Sequence, residues 1–236
     1  MKADDDVRCS GCVLSITTPF YYCSQSSECD FILHKACAEL PRKTHHWYHR
    51  SLATLRLEEH QYCDFCYRYC NGFFYKISWL HLCIRCFKIP NIIKHEGHEH
   101  KLFFDHKWKE QYCNGCGKSS GKGAFRCTKK DCRFTLDFAC ITLPLEVQHQ
   151  SEEHVLKLSY EEENEDRKQQ DCDICETKRD PNHWYYRCDT CDNSAHTSCA
   201  LGRSPFFKVG STLLGDRRFK VGSTLSGWRY HPHRLR

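Results

Sequence analysis

Apolar positions along this chain occur in short alternating stretches rather than in long runs. Aromatic and aliphatic side chains alternate with polar ones around Phe20–Tyr22, and again at Phe31 and Leu33. This alternation predicts short β-strands that enclose very small cores. In three places a proline follows a cysteine by four positions and ends any helix that begins before it; these are Pro41, Pro90 and Pro144. No apolar run approaches the ~20 residues of a membrane-spanning helix.

The composition indicates metal binding. The 236 residues include 20 cysteines and 16 histidines, whereas hydrophobic residues make up 40% and the mean hydropathy is −0.69, so a single large core is not expected. The acidic start, Met1–Asp6, lacks the apolar segment of a secretory signal, which predicts an intracellular protein of the cytoplasm or nucleus. Disulfides are rare in those compartments, so this many cysteines favour metal ligation.

The formal net charge of +5 and the pI of 8.3 would suggest an anionic partner, but bound zinc changes the sum. If about 19 cysteines ionise and about eight zinc ions bind, the net charge falls to about +2. The charge therefore gives no strong indication of a nucleic-acid partner.

One spacing pattern occurs four times along the chain. A C-x2-C pair is followed by an aromatic strand, a second cysteine pair and an H-x2-C motif; 19 of the 20 cysteines fit this pattern, and Cys70 is left over. Zinc takes four nitrogen or sulfur ligands in a tetrahedron, and residues three apart lie on one face of a short helix. Each unit has only ~50 residues, too few to fold by hydrophobic burial alone, and structural zinc supplies ~10–16 kcal/mol.

This order of ligands resembles the phorbol-ester/diacylglycerol-type zinc domain. More closely, the segments 31–41 and 82–86 and the closing His231–His233 look like its divergent plant version, the divergent C-one or Cys/His-rich domain. The resemblance covers nearly the whole chain. It implies a tandem array of four small zinc-stabilised α+β modules, each with short β-hairpins, a short C-terminal helix and two interleaved zinc sites. The repeats would span 1–46, 49–95, 98–149 and 154–233.

The resemblance also implies which residues hold zinc, at about two ions per repeat and one in the second repeat. The inner sites would be formed by Cys9, Cys12, His34 and Cys37; by Cys63, Cys66, Cys83 and Cys86; by Cys113, Cys116, Asp137 and Cys140; and by Cys172, Cys175, His196 and Cys199. The outer sites would be formed by Cys23, Cys29 and His46; by His100, Cys127, Cys132 and His149; and by His154, Cys188, Cys191 and His231.

Each repeat departs from the family pattern in some way. The first lacks an opening histidine, so we expect it to be truncated at its N-terminus. The second has no outer cysteine pair, so only one zinc ion is expected there. In the third, either Asp137 or water completes the inner site. In the fourth, a tandem duplication of twelve residues at 207–230 displaces the closing ligand to His231 or His233. Five further histidines are expected not to bind metal: His45, His60, His98, His106 and His183.

The resemblance favours a non-catalytic zinc-binding protein that presents rigid loops to a protein partner in intracellular signalling. No Ser/His/Asp set, phosphate-binding loop or nucleotide fingerprint stands out, so no enzymatic activity is expected. Three other classes stay open. Diacylglycerol or membrane-lipid binding is one, although the stretches 117–123 and 176–182 are polar and lack the Gln-Gly step of lipid-binding relatives. A thiol-disulfide oxidoreductase and a ubiquitin-ligase or nucleic-acid zinc module are the others.

Overall fold

The computed structural model describes the chain in segments that form two units, which divide between Lys88 and Ile89. Described are residues 7–16, 19–24, 29–57, 61–70, 72–107, 112–119, 121–147, 149, 154–161, 171–191 and 193–202. Both units consist of short antiparallel sheets and helices of four or five residues.

The first unit contains a two-stranded hairpin, a four-stranded sheet and a second small hairpin. The hairpin β1–β2 is followed by helix α1; the sheet has the order β3-β4-β7-β8 and is followed by helix α2; the strands β5 and β6 form the second hairpin. The elements are β1 (Phe20–Tyr22), β2 (Ile32–His34), α1 (Lys35–Ala38), β3 (Lys43–His46), β4 (His49–Leu57), β5 (Gln61–Tyr62), β6 (Tyr69–Cys70), β7 (Phe73–Ile77), β8 (Leu80–Cys83) and α2 (Ile84–Lys88).

The second unit contains two four-stranded sheets of the same kind, with the orders β12-β11-β10-β9 and β13-β14-β15-β16. One helix follows the last strand of each sheet. The elements are β9 (Ile92–His95), β10 (His98–Asp105), β11 (Ala124–Cys127), β12 (Thr135–Leu136), α3 (Phe138–Ile141), β13 (Glu146–Val147), β14 (Leu156–Ser159), β15 (Tyr185–Arg187), β16 (Ser194–His196) and α4 (Thr197–Leu201).

Each four-stranded sheet encloses a small core, as the short alternating stretches predict. The core of the β13–β16 sheet, for example, is built from six buried residues, and two of them are cysteines. They are Leu156, Cys172, Tyr186, Cys188, Ala195 and Ala200. A core of this size cannot offset the conformational entropy that its segment loses on folding, so burial alone does not explain the stability of this sheet.

The helices are too short to be stable by themselves, because the conformational entropy lost in forming the first helical turn exceeds the stabilisation from its hydrogen bonds. Each begins directly after a strand that ends near the second ligand pair, so the strand and the neighbouring sulfurs fix its position. Helix α3 also has a side-chain cap: Asp137 Oδ1 accepts a hydrogen bond from the backbone N–H of Cys140 at 2.7 Å. The predicted combination of short helices and small sheets is therefore what the described residues show.

Three β-hairpins span the positions at which the sequence places the repeat boundaries. Strand β3 pairs with β4, β9 pairs with β10, and β13 pairs with β14. The boundaries expected at 46/49, 95/98 and 149/154 therefore fall inside β-hairpins, and each sheet begins with the strand that precedes the boundary. The tail after each Leu-Pro or Ile-Pro step thus supplies an edge strand to the sheet that follows.

Two buried tyrosines connect these sheets to the preceding helix. The hydroxyl of Tyr75 donates a hydrogen bond to the carbonyl of Pro41 at 2.7 Å, and the hydroxyl of Tyr186 donates one to Pro144 at 2.6 Å. Both tyrosines are fully buried on a central strand of their sheet. Each bond thus fixes the chain directly after the helix against the next sheet.

We expect Tyr186→Phe to lower the free energy of unfolding by about 1–2 kcal/mol, because the partly buried carbonyl of Pro144 loses its donor. Urea denaturation measures this change. Tyr185→Phe is the matched control, since the hydroxyl of Tyr185 lies 3.4 Å from the carbonyl of Glu161, a long and weak bond. Equal effects of the two substitutions would show that the tyrosine–proline bond does not stabilise the sheet.

Candidate metal centres

All four predicted inner sets come together in the structure. In each set, the four ligand atoms lie within 4.8 Å of one another. The clusters are Cys9, Cys12, His34 and Cys37; Cys63, Cys66, Cys83 and Cys86; Cys113, Cys116, Asp137 and Cys140; and Cys172, Cys175, His196 and Cys199. Each cluster offers either four sulfurs or three sulfurs with one nitrogen or carboxylate oxygen, and structural zinc prefers four donors of these kinds.

The first cysteine pair of every cluster lies in a turn of one recurring geometry. The residue after the second cysteine has a positive φ angle, and its N–H donates to the carbonyl of the first cysteine at 2.7–3.0 Å. These residues are Val13 (62°), Tyr67 (55°), Gly117 (69°) and Glu176 (58°). Only glycine adopts this conformation freely, so the turn costs roughly 1 kcal/mol at the other three positions. The clustered sulfurs must offset that cost.

A polar residue inside each turn ties it to the strand that leads to the second ligand pair. Its side-chain oxygen accepts a backbone N–H of that strand at 2.6–3.2 Å. These residues are Ser10, Asp64, Asn114 and Asp173. The sequence reasoning missed them, although a short polar side chain directly after the first cysteine of all four pairs was a visible signal.

The thiols of a cluster cannot all ionise without a cation. Hydrogen bonds, first from Cys12 and then from Cys37, hold the pKa of Cys9 far below its ordinary value. The pKa of Cys37 lies far above its ordinary value because its thiol donates to Cys12 and Cys9 and because it is buried. One thiolate is thus stabilised by neighbours that stay protonated. A divalent cation would remove this conflict, because it favours the ionised form of every ligand.

The second cluster is the most buried. Its four cysteines are at most 4% exposed. Hydrogen bonds from the neighbouring thiols, that of Cys63 first, lower the pKa of Cys83, and the positive charge of Arg85 lowers it further. Four thiolates around one zinc ion leave two negative charges, so the half-buried guanidinium of Arg85 beside them would compensate part of that excess.

Asp137 lies in the third cluster, as one of the two sequence alternatives proposed. Its Oδ2 accepts a hydrogen bond from the Cys116 thiol at 3.5 Å, while its Oδ1 caps helix α3. Burial raises the pKa of Asp137 from 3.8 to about 6. The stability that this carboxyl contributes without metal is therefore lost as the pH rises through about 6, and a bound cation would offset that loss.

A fifth cluster forms in the β9–β12 sheet from His98, His100, Cys127 and Cys132. The Nε2 atom of His98 lies 3.4 Å from the sulfur of Cys132 and 3.4 Å from Nδ1 of His100. The sequence had assigned His149 to this site and had expected His98 not to be a ligand. His98 and His100 lie two apart on strand β10 and therefore point to the same face. The missed signal was the H-x-H alternation within a strand.

His46 is predicted to complete the first outer site with Cys23 and Cys29, and that assignment stays a prediction. In the structure both of its ring nitrogens have backbone partners. Its Nε2 donates to the carbonyl of Phe87 at 3.2 Å, and its Nδ1 accepts from the N–H of Tyr48 at 3.3 Å. Burial lowers its pKa, which keeps the ring neutral. His46 thus stabilises the β3–β4 hairpin of the following sheet.

Cys23 and Cys29 do come together. Burial, followed by a hydrogen bond with the Cys23 thiol, raises the pKa of Cys29.

In the second repeat, the leftover thiol of Cys70 donates to the carbonyl of Gln61 at 3.6 Å, and His81 lies 3.8 Å from Asp64. A single zinc ion in this repeat stays a prediction.

The fourth outer site is partly described. The sulfur of Cys191 lies 2.8 Å from Nδ1 of His154, and the thiol of Cys188 accepts the backbone N–H of Cys191 at 3.3 Å. The predicted closing ligand, His231 or its alternative His233, and the duplication at 207–230 lie outside the described residues.

Replacing His98 with alanine is expected to expose the fifth cluster. Without its imidazole, Cys127 and Cys132 lose their metal and become reactive towards alkylating reagents, because free thiolates are nucleophilic. Mass spectrometry of alkylated peptides measures this. His149→Ala is the matched variant and should leave both thiols protected. Protection in His98→Ala together with exposure in His149→Ala would restore the original assignment.

These features define a Cys/His-rich zinc-finger protein. A family model described as C1 domain matches residues 1–38, 96–141 and 150–200, together more than half of the chain. The chain therefore belongs to the C1 domain family. The matched segments contain the first, third and fourth inner clusters, and the four-cysteine cluster lies outside them.

Comparisons with curated proteins and with solved structures give no significant match. Among the described residues, no helix has the length and apolar character needed to cross a membrane.

Proposed function

We propose that this chain is a non-catalytic protein of four C1-type zinc fingers that serves as an adaptor for protein partners in intracellular signalling, in the cytoplasm or nucleus. The observation that carries this proposal is the set of five clusters with four donors each. A zinc ion with four protein ligands has no open position for an activated water molecule or a substrate. The metal would therefore hold each finger in shape, and the exposed surface would do the binding.

A group of exposed aromatic residues supports the adaptor role. Tyr62, Tyr67 and Tyr69 surround the cysteine turn of the second finger and are 41–45% exposed. The ring of Tyr62 lies 6.1 Å from that of Tyr67 and 5.1 Å from that of Tyr69. Tyrosine is enriched at protein interfaces because a rigid aromatic ring buries a large area at little entropic cost. The rigid turn beneath these rings would present them in a fixed arrangement.

The test is a partner screen that compares the wild-type chain with a triple Tyr→Ser variant at these three positions. Quantitative mass spectrometry of cross-linked complexes should identify proteins that the variant loses by about tenfold or more, the effect of removing an interface hot spot. Tyr112→Ser is the control, since Tyr112 is 69% exposed but lies on another finger. The zinc content of all variants should be equal. An unchanged set of partners for the triple variant would reject this surface.

Lipid binding is the second candidate, because the same exposed tyrosines flank a turn of a C1-type finger. Against it, the stretch Glu176–Asn182 of the fourth finger is polar, and the side chain of Glu176 is exposed. Co-sedimentation with liposomes, with and without diacylglycerol, distinguishes the two candidates. The adaptor proposal predicts no sedimentation above that of a protein without a C1 finger.

A further inference from the structure

The fourth finger contacts the cysteine turn of the third through Trp184. This residue is 4% exposed and lies directly before strand β15. Its backbone N–H donates to the carbonyl of Gly115, inside the turn Cys113–Cys116, at 3.0 Å. A Cβ atom on Gly115 would lie 3.0 Å from Cε3 of the indole and 2.8 Å from the sulfur of Cys140. Only a glycine therefore leaves room for the indole beside this cluster.

The β9–β10 hairpin in the sheet of the third finger contacts the other side of the indole, and so does Tyr160, which follows strand β14 of the fourth finger. The ring of His95 stacks on Trp184 at 5.1 Å with an interplanar angle of 16°, and Tyr160 meets it edge-on at 4.9 Å. A Cβ atom on Gly97 would lie 2.6 Å from Cζ2 of the indole and 2.9 Å from the ring of Tyr160. Gly97 thus lies directly beside the indole, and any side chain at this position would overlap the ring.

The first unit repeats this arrangement with a different aromatic residue. The backbone N–H of Phe73 donates to the carbonyl of Gly11 at 2.7 Å, and Phe73 is 3% exposed at the start of β7. A Cβ atom on Gly11 would lie 2.9 Å from Cδ2 of that phenyl ring. Gly11 and Gly115 occupy the same place, the third residue of a C-x-G-C turn. The same contact is therefore made twice, between different pairs of sheets.

The second and fourth turns have a side chain in place of that glycine. The ring of Phe65 meets that of Tyr48 at 4.6 Å, and Ile174 packs against the core of the β13–β16 sheet. The C-x-G-C sequence is therefore found in the first and third turns, whereas the second and fourth carry Phe65 and Ile174 at the glycine position.

We propose that the C-x-G-C turn of the first and third fingers is a binding site for the aromatic residue and backbone N–H of the finger that follows it. The chain would then consist of two docked pairs of fingers rather than four independent ones. This inference rests on the proposed arrangement of zinc fingers, because the metal-bound cysteines hold each turn in the shape that receives its partner. Loss of metal from a leading finger then releases the finger behind it.

The test is a double-substitution cycle in the full chain with Gly97→Val and Trp184→Ala. Gly97→Val places atoms where the indole lies, so the amide of residue 184 should exchange its hydrogen at least about tenfold faster in NMR experiments. In the Trp184→Ala background there is no ring to displace, so Gly97→Val should accelerate the exchange of the residue 184 amide much less. Trp79→Ala is the control, since Trp79 is 66% exposed.

Two results would overturn the docking. One is unchanged exchange of the residue 184 amide in Gly97→Val, and the other is full additivity of the two substitutions. Gly11→Val provides an independent measurement in the first unit, where the amide of Phe73 should exchange faster. Zinc content is measured in parallel: wild-type protein without zinc rejects the zinc-finger function, whereas zinc-loaded protein with an unprotected residue 184 amide rejects only the docking.

Discussion

Treatment with a strong zinc chelator is expected to unfold both units. The β13–β16 sheet, for example, has a core of only six buried residues. Structural zinc contributes ~10–16 kcal/mol in small fingers, which is comparable to the whole stability of an ordinary domain. Without the cation, the clustered thiols oppose one another's ionisation, as the divergent pKa values of Cys9 and Cys37 show.

Circular dichroism and limited proteolysis measure this effect. The strand signal should disappear, cleavage should occur throughout the described segments, and stoichiometric zinc should restore the fold under reducing conditions. Unchanged spectra and cleavage patterns after complete metal removal would mean that the small cores suffice.

The second large effect is expected from Cys86→Ser, which should unfold the sheet formed by β3, β4, β7 and β8. Cys86 is fully buried in the four-cysteine cluster, and a serine hydroxyl binds zinc poorly and leaves three thiolates around the ion. The matched control is Cys70→Ser. Cys70 is also buried, at 5% exposure, but outside the cluster, so its replacement should cost only about 1–2 kcal/mol.

Thermal unfolding and hydrogen exchange at the amides of β7 separate the two variants. Similar losses of stability in Cys86→Ser and Cys70→Ser would mean that the cluster contributes no more than ordinary burial.

By the same reasoning, Cys199→Ser should disrupt the fourth finger and leave the first unit unchanged, because the two do not share a cluster.

The inner clusters could be predicted from the sequence because their geometry is local. A C-x2-C turn brings two sulfurs together, and an H-x2-C motif presents two ligands from one short helix. The short strands were predictable from alternation for a similar reason. Even Asp137 was anticipated, since it stands where the first and fourth clusters have His34 and His196.

The closing histidines of the outer sites could not be assigned, because they depend on which hairpin a histidine joins. His46 and His95 both precede a β-turn. The strand pairing of both hairpins is irregular, with register shifts between Thr44 and His46 and between His98 and Leu102. Spacing along the chain does not reveal which imidazole then points to a sulfur. The contacts of Gly11 with Phe73 and of Gly115 with Trp184 were hidden for the same reason, as each joins residues more than 60 positions apart.

The most direct test of the account is the zinc content of the purified chain, measured by native mass spectrometry together with the oxidation state of its cysteines. The account predicts at least five zinc ions per chain, one for each four-residue cluster, with the ligand sulfurs reduced. A chain that is folded without zinc, or whose cysteines are joined in disulfides, would contradict it.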